Sequence, residues 1–423
     1  ERAKATPALE ETRDMRTLFG HNVEGLEPVT LRWVCDAPHG SGGDVVLTHV
    51  AALIEAESKG KIKIDLHRFG ALYKSLDLPK VVPIGTVHIG NINKGLLLGR
   101  EIGYAPWIVA FRWMSPEHML AVTCSPEWYE MEERLSKKKW NLKHLVLTPQ
   151  GNWDYFSRKE IKSMKDLRGV RIWSSGEITS TYVKSWEATP VMKAWSEVYM
   201  AYYKGEFDVL PFNVQAYLFR KMYECGKYWL HMPHFPPGSV GIHMNQEFMN
   251  RDKWNSLPLP YKKIILDALD LYSWVSIWET VAMEKLSEYR LINQYKIVNV
   301  DIAGKHPEEY AKIKQAAVAE AKKMSLARGV TQEQWDEVQA IINKYNNPKY
   351  TAKYKWWFKL AWAEADLRLA RIQKDLAAGK SWDEAYEPEQ AKNKYGWSVD
   401  RIKEYYLSVP RVKYDWNEAT RLQ

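Results

Sequence analysis

The stretch from residue 163 to residue 208 constrains the fold more than any other, because it writes a strand, a helix and a return strand in one run. It opens Ser163-Met164-Lys165-Asp166-Leu167-Arg168-Gly169-Val170-Arg171-Ile172-Trp173 and continues through Pro190 and Ser196-Glu197-Val198-Tyr199 to Gly205-Glu206-Phe207-Asp208. A residue facing a cleft is expected at each end. Side chains alternate faces along a strand, so Arg171 and Trp173 are expected on one face, with Trp173 at the carboxyl end. Residues 30–66 repeat the logic. Leu31, Trp33 and Cys35 fall at alternate positions of a β-like run, a turn-rich segment follows at 36–43, and Val46, Val50, Leu53 and Ile54 then recur at helical spacing up to Gly60. Residues 61–66 alternate again. Two such units imply parallel strands and an α/β fold.

In open α/β sheets, ligands sit beyond the carboxyl ends of the strands, which makes the loop at 36–43 one wall of a cleft. Its glycines, Gly40, Gly42 and Gly43, lack the Gly-Lys-Ser/Thr and GxGxxG contexts of a nucleotide site. A helix is expected at about 75–83, then a second strand-to-loop exit at 85–93. The length of 423 residues suits two lobes plus appendages.

Twenty Trp and 24 Tyr need cores, grooves or interfaces where flat rings are useful. The net charge of +8 is dispersed among acidic residues, and no basic block or Cys/His finger spacing occurs, which argues against nucleic acid. Cys35, Cys124 and Cys225 show neither CxxC spacing nor an even disulfide framework and read as small packing residues. No run of about 18 apolar residues is present. His39 beside Ser41 and the run His231-Met232-Pro233-His234 are the local candidates for catalysis or a metal. Pro233 argues against a regular helix presenting both histidines, and no G-x-S-x-G elbow occurs.

The order and spacing of the 163–208 segment resemble the solute-binding proteins of TRAP transporters, the DctP-like family, whose pattern is roughly D-L-K-G-L-K-I-R-V, then S-E-V-Y, then a Gly and an Asp. The resemblance covers roughly residues 30–340, and residues 240–244 resemble the family's return strand. It implies a two-lobed periplasmic-binding-protein-like fold with a hinge, an exported and periplasmic chain whose signal peptide has been removed, TRAP membrane subunits as partners, no cofactor and no catalysis. This chain departs from the family in two places. His88 stands where the family carries Asp in Gly-Thr-X-Asp, and Trp173 stands at the position of the Arg that clamps a substrate carboxylate. An indole has one donor and no charge, so a simple dicarboxylate is not the expected ligand.

Carried over one position at a time, the resemblance places Trp153, Trp173, Trp195, Phe212 and Asn213 on the second-lobe wall, with Glu177 nearby, and Asp36, Ala37, Ser75, Ile92 and Asn93 on the first. Pro211 replaces the acidic residue that helps hold a metal in some members, so no bound cation is expected. An aromatic cleft of this kind suits a bulky, apolar or aromatic small molecule, an organic acid included. A quaternary ammonium held by cation–π contacts beside Asp36 or Glu177 is the alternative. Readings of another class are a periplasmic enzyme on the same cleft and a docking protein using the aromatic tail.

The expected organisation is an N-terminal arm at 1–29, lobe I at 30–150 with return segments from 240–300, lobe II at 151–240, and a helical region at 305–423 whose extension begins beyond about 345. Thr331-Gln332-Glu333-Gln334 reads as a capping box, and residues 350–378 as a long helix stopped by Gly379. The tail aromatics Trp382, Tyr386, Tyr395, Trp397, Tyr405, Tyr406, Tyr414 and Trp416 either pack onto the lobes or form the interface of a homodimer.

Overall fold

The computed structural model describes residues 20–35, 42–233, 241, 245–389 and 393–423. In chain order its strands are β1 (Val29–Cys35), β2 (Ile62–Arg68), β3 (Ile89–Asn93), β4 (Leu142–Thr148), β5 (Trp153–Ser157), β6 (Arg171–Ser174), β7 (Thr189–Met192), β8 (Val209–Asn213), β9 (Tyr228–Leu230), β10 (Asn245–Asn250) and β11 (Val298–Val300). They form two sheets, one for each lobe, ordered β2-β1-β3-β10-β4 and β11-β9-β5-β8-β6-β7.

Both β-α-β units are present. β1 pairs in parallel with β2 from Val29↔Ile62 to Cys35↔Arg68, with the helix Gly42–Glu57 as crossover. β6 pairs in parallel with β7, with Glu177–Ser185 between them. β10 runs antiparallel to both β3 and β4, which stitches the chain back into the first sheet after its excursion through the second. The return strand expected at 240–244 falls on residues outside the described set, apart from Gly241, and the pairing strand is β10 just after it. The helix expected at 75–83 shrinks to the single turn Leu78–Val81: Asp77 supplies no side-chain cap, and Pro83, two residues past its end, cannot continue it.

The chain passes between the two sheets three times: by residues 149–152 between β4 and β5, between β9 and β10, and along the 35-residue helix Leu259–Asn293 that precedes β11. At 1.5 Å per residue this helix is about 52 Å long, enough to underlie both sheets before β11 joins the second. At the first crossing Gly151 holds φ +79, and a Cβ there would meet Glu284 Oε1 of the long helix at 2.6 Å. A side chain would be strained at this point both by its backbone and by its neighbour.

The C-terminal region is helical. Thr331 and Gln334 form the expected capping box, and Pro348–Ala377 ends ahead of Gly379 at φ +88. The extension packs on the first lobe: Pro348–Ala377 lies against the long helix and against Pro116–Thr123, while Val399–Ser408 lies against Gly42–Glu57. Trp397 stacks on His49 with centroids 5.4 Å apart, Tyr414 stacks on Trp274 at 5.8 Å, and Trp416 meets His144 edge-on at 5.4 Å. These tail aromatics are therefore taken up by packing within the chain. Cys35 and Cys124 are buried, and burial pushes the Cys124 thiol up to about 12, as suits an inert packing residue.

Candidate functional site

Cys35, Asn93, Thr148 and Asn213 are the last residues of β1, β3, β4 and β8, and all four line one cavity of about 180 Å³ between the lobes. This is where strand topology leaves room for a ligand. The second-lobe wall is aromatic. Trp153 and Trp173 stack at 5.8 Å with their planes 16° apart, and Trp195 leans on them at 5.8 and 5.4 Å. Trp173 is 1% exposed, and its Nε1 donates to the Lys193 carbonyl at 3.2 Å, which fixes the ring's orientation. Arg171, its partner in the strand alternation, points to solvent and pairs with Asp208 at 3.2 Å.

The other residues singled out by sequence divide. Ser75, Asn93 and Asn213 line the cavity, and the two asparagines also cap backbone: Asn93 Oδ1 accepts from Gly95 at 2.8 Å and Asn213 Oδ1 from Ala216 at 2.7 Å. Phe212 does not reach the wall. Its ring is fully buried behind Trp195, stacked at 4.5 Å, because it points to the opposite face of β8 from a cavity-lining position. Ile92 is likewise buried in the first-lobe core. Glu177 is also off the wall, bound to Arg328, which donates in addition to the Leu98 carbonyl at 2.9 Å and so ties the two lobes together. Asp36 and Ala37 lie outside the described residues.

Sequence reasoning missed the charged residues of the wall. Arg220 follows the short helix Val214–Phe219, and its guanidinium sits 4.6 Å from the rings of both Phe69 and Trp195 while donating to the Trp195 carbonyl at 2.8 Å. Glu247 enters from β10. Its Oε1 accepts from Asn91 Nδ2 at 2.7 Å and its Oε2 from Trp33 Nε1 at 3.0 Å, and burial pushes the carboxyl up to about 7. Glu279 reaches the floor from the long helix. Burial would raise its pKa, but Arg368 and Lys394 of the extension, each at 3.2 Å, hold it below the usual carboxylate range, with Tyr405 donating as well. Lys193 contributes to the wall but is paired with Glu206 at 2.7 Å.

Two cations that could have replaced the missing clamp are elsewhere. Arg112 binds Gln339 and the Pro106 carbonyl, and Arg158 the Tyr202 and Tyr203 carbonyls. His231 is bound to Asp154 at 2.6 Å inside the second lobe, away from the cavity, and His234 lies outside the described residues. The lobes touch around the cavity: Lys74 meets Glu197 at 2.7 Å, and the Ala110 amide donates to the Tyr182 hydroxyl at 2.7 Å.

Residues 41–327 match the family model of the bacterial extracellular solute-binding proteins, family 7, the DctP proteins. The chain belongs to this family. Solved TRAP periplasmic binding proteins share its fold. One is the ectoine-binding protein of Halomonas elongata, with TM-score 0.65, 17% identity, and coverage of 77% of this chain and 99% of that one. Another is a protein from Shewanella oneidensis with bound succinate, at 0.65, 13%, 74% and 99%. A third, from Roseobacter denitrificans with bound β-D-glucuronate, gives 0.63, 18%, 74% and 99%. Members of family 7 are binding receptors rather than enzymes, so the enzyme reading of the cleft is set aside. Among the described residues of this family 7 protein, no helix is long and apolar enough to cross a membrane.

Proposed function

We propose that this family 7 protein is the periplasmic receptor of a TRAP transporter, closing on a small organic molecule and presenting it to membrane subunits. The observation that carries this reading is the wall of three mutually packed indoles, Trp153, Trp173 and Trp195, in a cavity built from both lobes. Such a wall recognises a flat or bulky apolar body, whose burial contributes about 25 cal/mol per Å², and it lacks the guanidinium that would grip a small dicarboxylate at the Trp173 position. One related protein is an ectoine-binding protein and two related structures hold succinate and β-D-glucuronate, which supports a small organic molecule, acids included, as the ligand class. A quaternary ammonium is the second reading, favoured by Glu247 in the wall beside the indoles.

The mechanism is capture without bond breaking. Contacts made with both lobes exist only in the closed state, so ligand shifts the population toward it. Native mass spectrometry of the purified protein should reveal a co-purifying small molecule, and small-angle scattering should show compaction when that molecule is returned to stripped protein. An unchanged scattering profile at saturating ligand would rule out capture by closure.

A further inference from the structure

We infer that the ligand carries an N–H-bearing cation, an ammonium or an amidinium, bound by Glu247, on a flat body that lies against Trp153, Trp173 and Trp195. This rests on the interlobe cavity being the ligand site, and it narrows the chemistry of what enters.

Glu247 projects from β10 of the first sheet and lines the cavity together with Asn91, Thr148 and Tyr272. It is fully buried, and the groups that meet it from the surrounding elements are uncharged: Trp33 from β1, Asn91 from β3, Thr148 from β4 and Tyr272 from the long helix. Tyr272 keeps its proton, because burial raises its phenol well above the ordinary range. Among the described residues no Lys, Arg or His pairs with Glu247. Asn91 donates to Oε1 at 2.7 Å and Trp33 to Oε2 at 3.0 Å, which fixes the plane of the carboxylate and leaves it capacity to accept a further N–H. A buried carboxylate held by donors but lacking a counter-charge is costly, and a cation entering the cavity supplies what the fold does not.

The other charged residues of the wall are engaged by the fold. Glu279 is matched by Arg368, Lys394 and Tyr405, Lys193 by Glu206, and Arg220 is held by the Trp195 carbonyl against the rings of Phe69 and Trp195. Glu247 is therefore the pole whose charge is left to a ligand. An N–H cation both donates a charge-assisted hydrogen bond and supplies the counter-charge. A quaternary ammonium supplies the charge alone and turns methyl groups toward oxygens that can still accept. A neutral ligand lets the carboxyl keep its proton, since burial pushes it up to about 7. Across the cavity the indoles take the flat body by stacking, so the two lobes read two parts of one molecule.

The test is a matched panel scored by melting-temperature shift and calorimetry on the full chain: phenethylamine and tryptamine, the alcohols phenethyl alcohol and tryptophol that carry a hydroxyl in place of the amine, the acid hydrocinnamate, and phenyltrimethylammonium. The expected result is that each amine binds at least tenfold more tightly than its alcohol, than hydrocinnamate and than phenyltrimethylammonium. Glu247→Gln should remove that preference, weakening the amines at least tenfold and leaving the alcohols unchanged. Binding of an amine should release about half a proton at pH 7, read from calorimetry in buffers of different ionisation enthalpy, because a neighbouring ammonium ionises a carboxyl that titrates near 7, and binding of an alcohol should release none. This measurement uses the unaltered protein and decides the matter if Glu247→Gln does not fold. If an alcohol, hydrocinnamate or phenyltrimethylammonium binds as well as the amines, if the amines bind without releasing a proton, or if no amine binds, the inference is overturned. The cleft reading fails separately, through a bound panel member or co-purified molecule whose affinity is unchanged by substitution of Trp173.

Discussion

Trp153 and Trp173 form one aromatic surface, their centroids 5.8 Å apart and their planes within 16°, although they come from two strands, β5 and β6, that do not pair with each other. β8 lies between those strands, so the two rings meet across it and neither can be removed without disturbing the other. Trp173→Ala should therefore have two separable effects. Loss of stacking or cation–π contact, on the order of 1 to 2 kcal/mol, should weaken ligand binding about tenfold or more. The vacated volume should lower stability by about 3 to 5 kcal/mol. Trp173→Phe should keep most of the stability and still weaken binding. Unchanged affinity in both variants, with altered melting alone, would make Trp173 a packing residue.

Simple C4-dicarboxylates should bind weakly, at millimolar concentration or worse, although one structural relative holds succinate. Calorimetric titration with succinate and malate measures this. Trp173→Arg should improve succinate binding at least tenfold by restoring a bidentate donor at the end of β6. Micromolar affinity in the unaltered protein would mean that Arg220 already clamps dicarboxylates.

Stability should decline as the pH rises from about 6.5 to about 9. Burial pulls the His231 imidazole down, but the hydrogen bond and charge of Asp154 at 2.6 Å more than reverse this and lift it to about 9. A group raised on folding contributes fully below its unfolded value of about 6.5, and loses that contribution through its folded value. The loss is at most about 3 kcal/mol. Denaturant unfolding at pH 6 and pH 9 should show it, and His231→Gln should flatten the difference.

Glu279→Gln should loosen the extension. The substitution removes a charge shared by Arg368 and Lys394 and leaves Arg368 with Glu389 alone, a change of about 3 kcal/mol for a buried network. Limited proteolysis should then cut the extension faster than in the unaltered chain. Equal protection would show that the aromatic contacts hold the extension without this network.

The β-α-β units and the capping box at Thr331 were legible because periodicity and capping are local signals. So were the indole positions, which the family spacing transfers onto the cavity-lining Trp153, Trp173 and Trp195. Arg220 and Glu247 were not. Arg220 follows a helix of six residues, and its role comes from folding back over Trp195, 25 positions earlier. Glu247 belongs to a strand, Asn245–Asn250, whose polar residues are largely buried, so the alternation that marks exposed and core faces is missing there. Phe212 shows the limit of transfer by position: one step along β8 separates a cavity-lining Asn213 from a ring sealed behind the wall. The tail could not be placed from sequence because its partners, such as His49 for Lys394, lie hundreds of residues away.

The packing of the extension onto the first lobe and the long helix divides the molecule into unequal bodies. Any hinge motion swings the smaller second lobe against a broad base that carries more than a hundred further residues. A partner that rests on the extension would meet the same surface whether the cleft is empty or filled. One that also touches Met192 or Tyr203, both exposed on the second lobe, would find the distance between its two footholds altered by occupancy. The chain thus carries a constant face and a state-dependent face, and a second protein could read the difference without ever contacting the ligand.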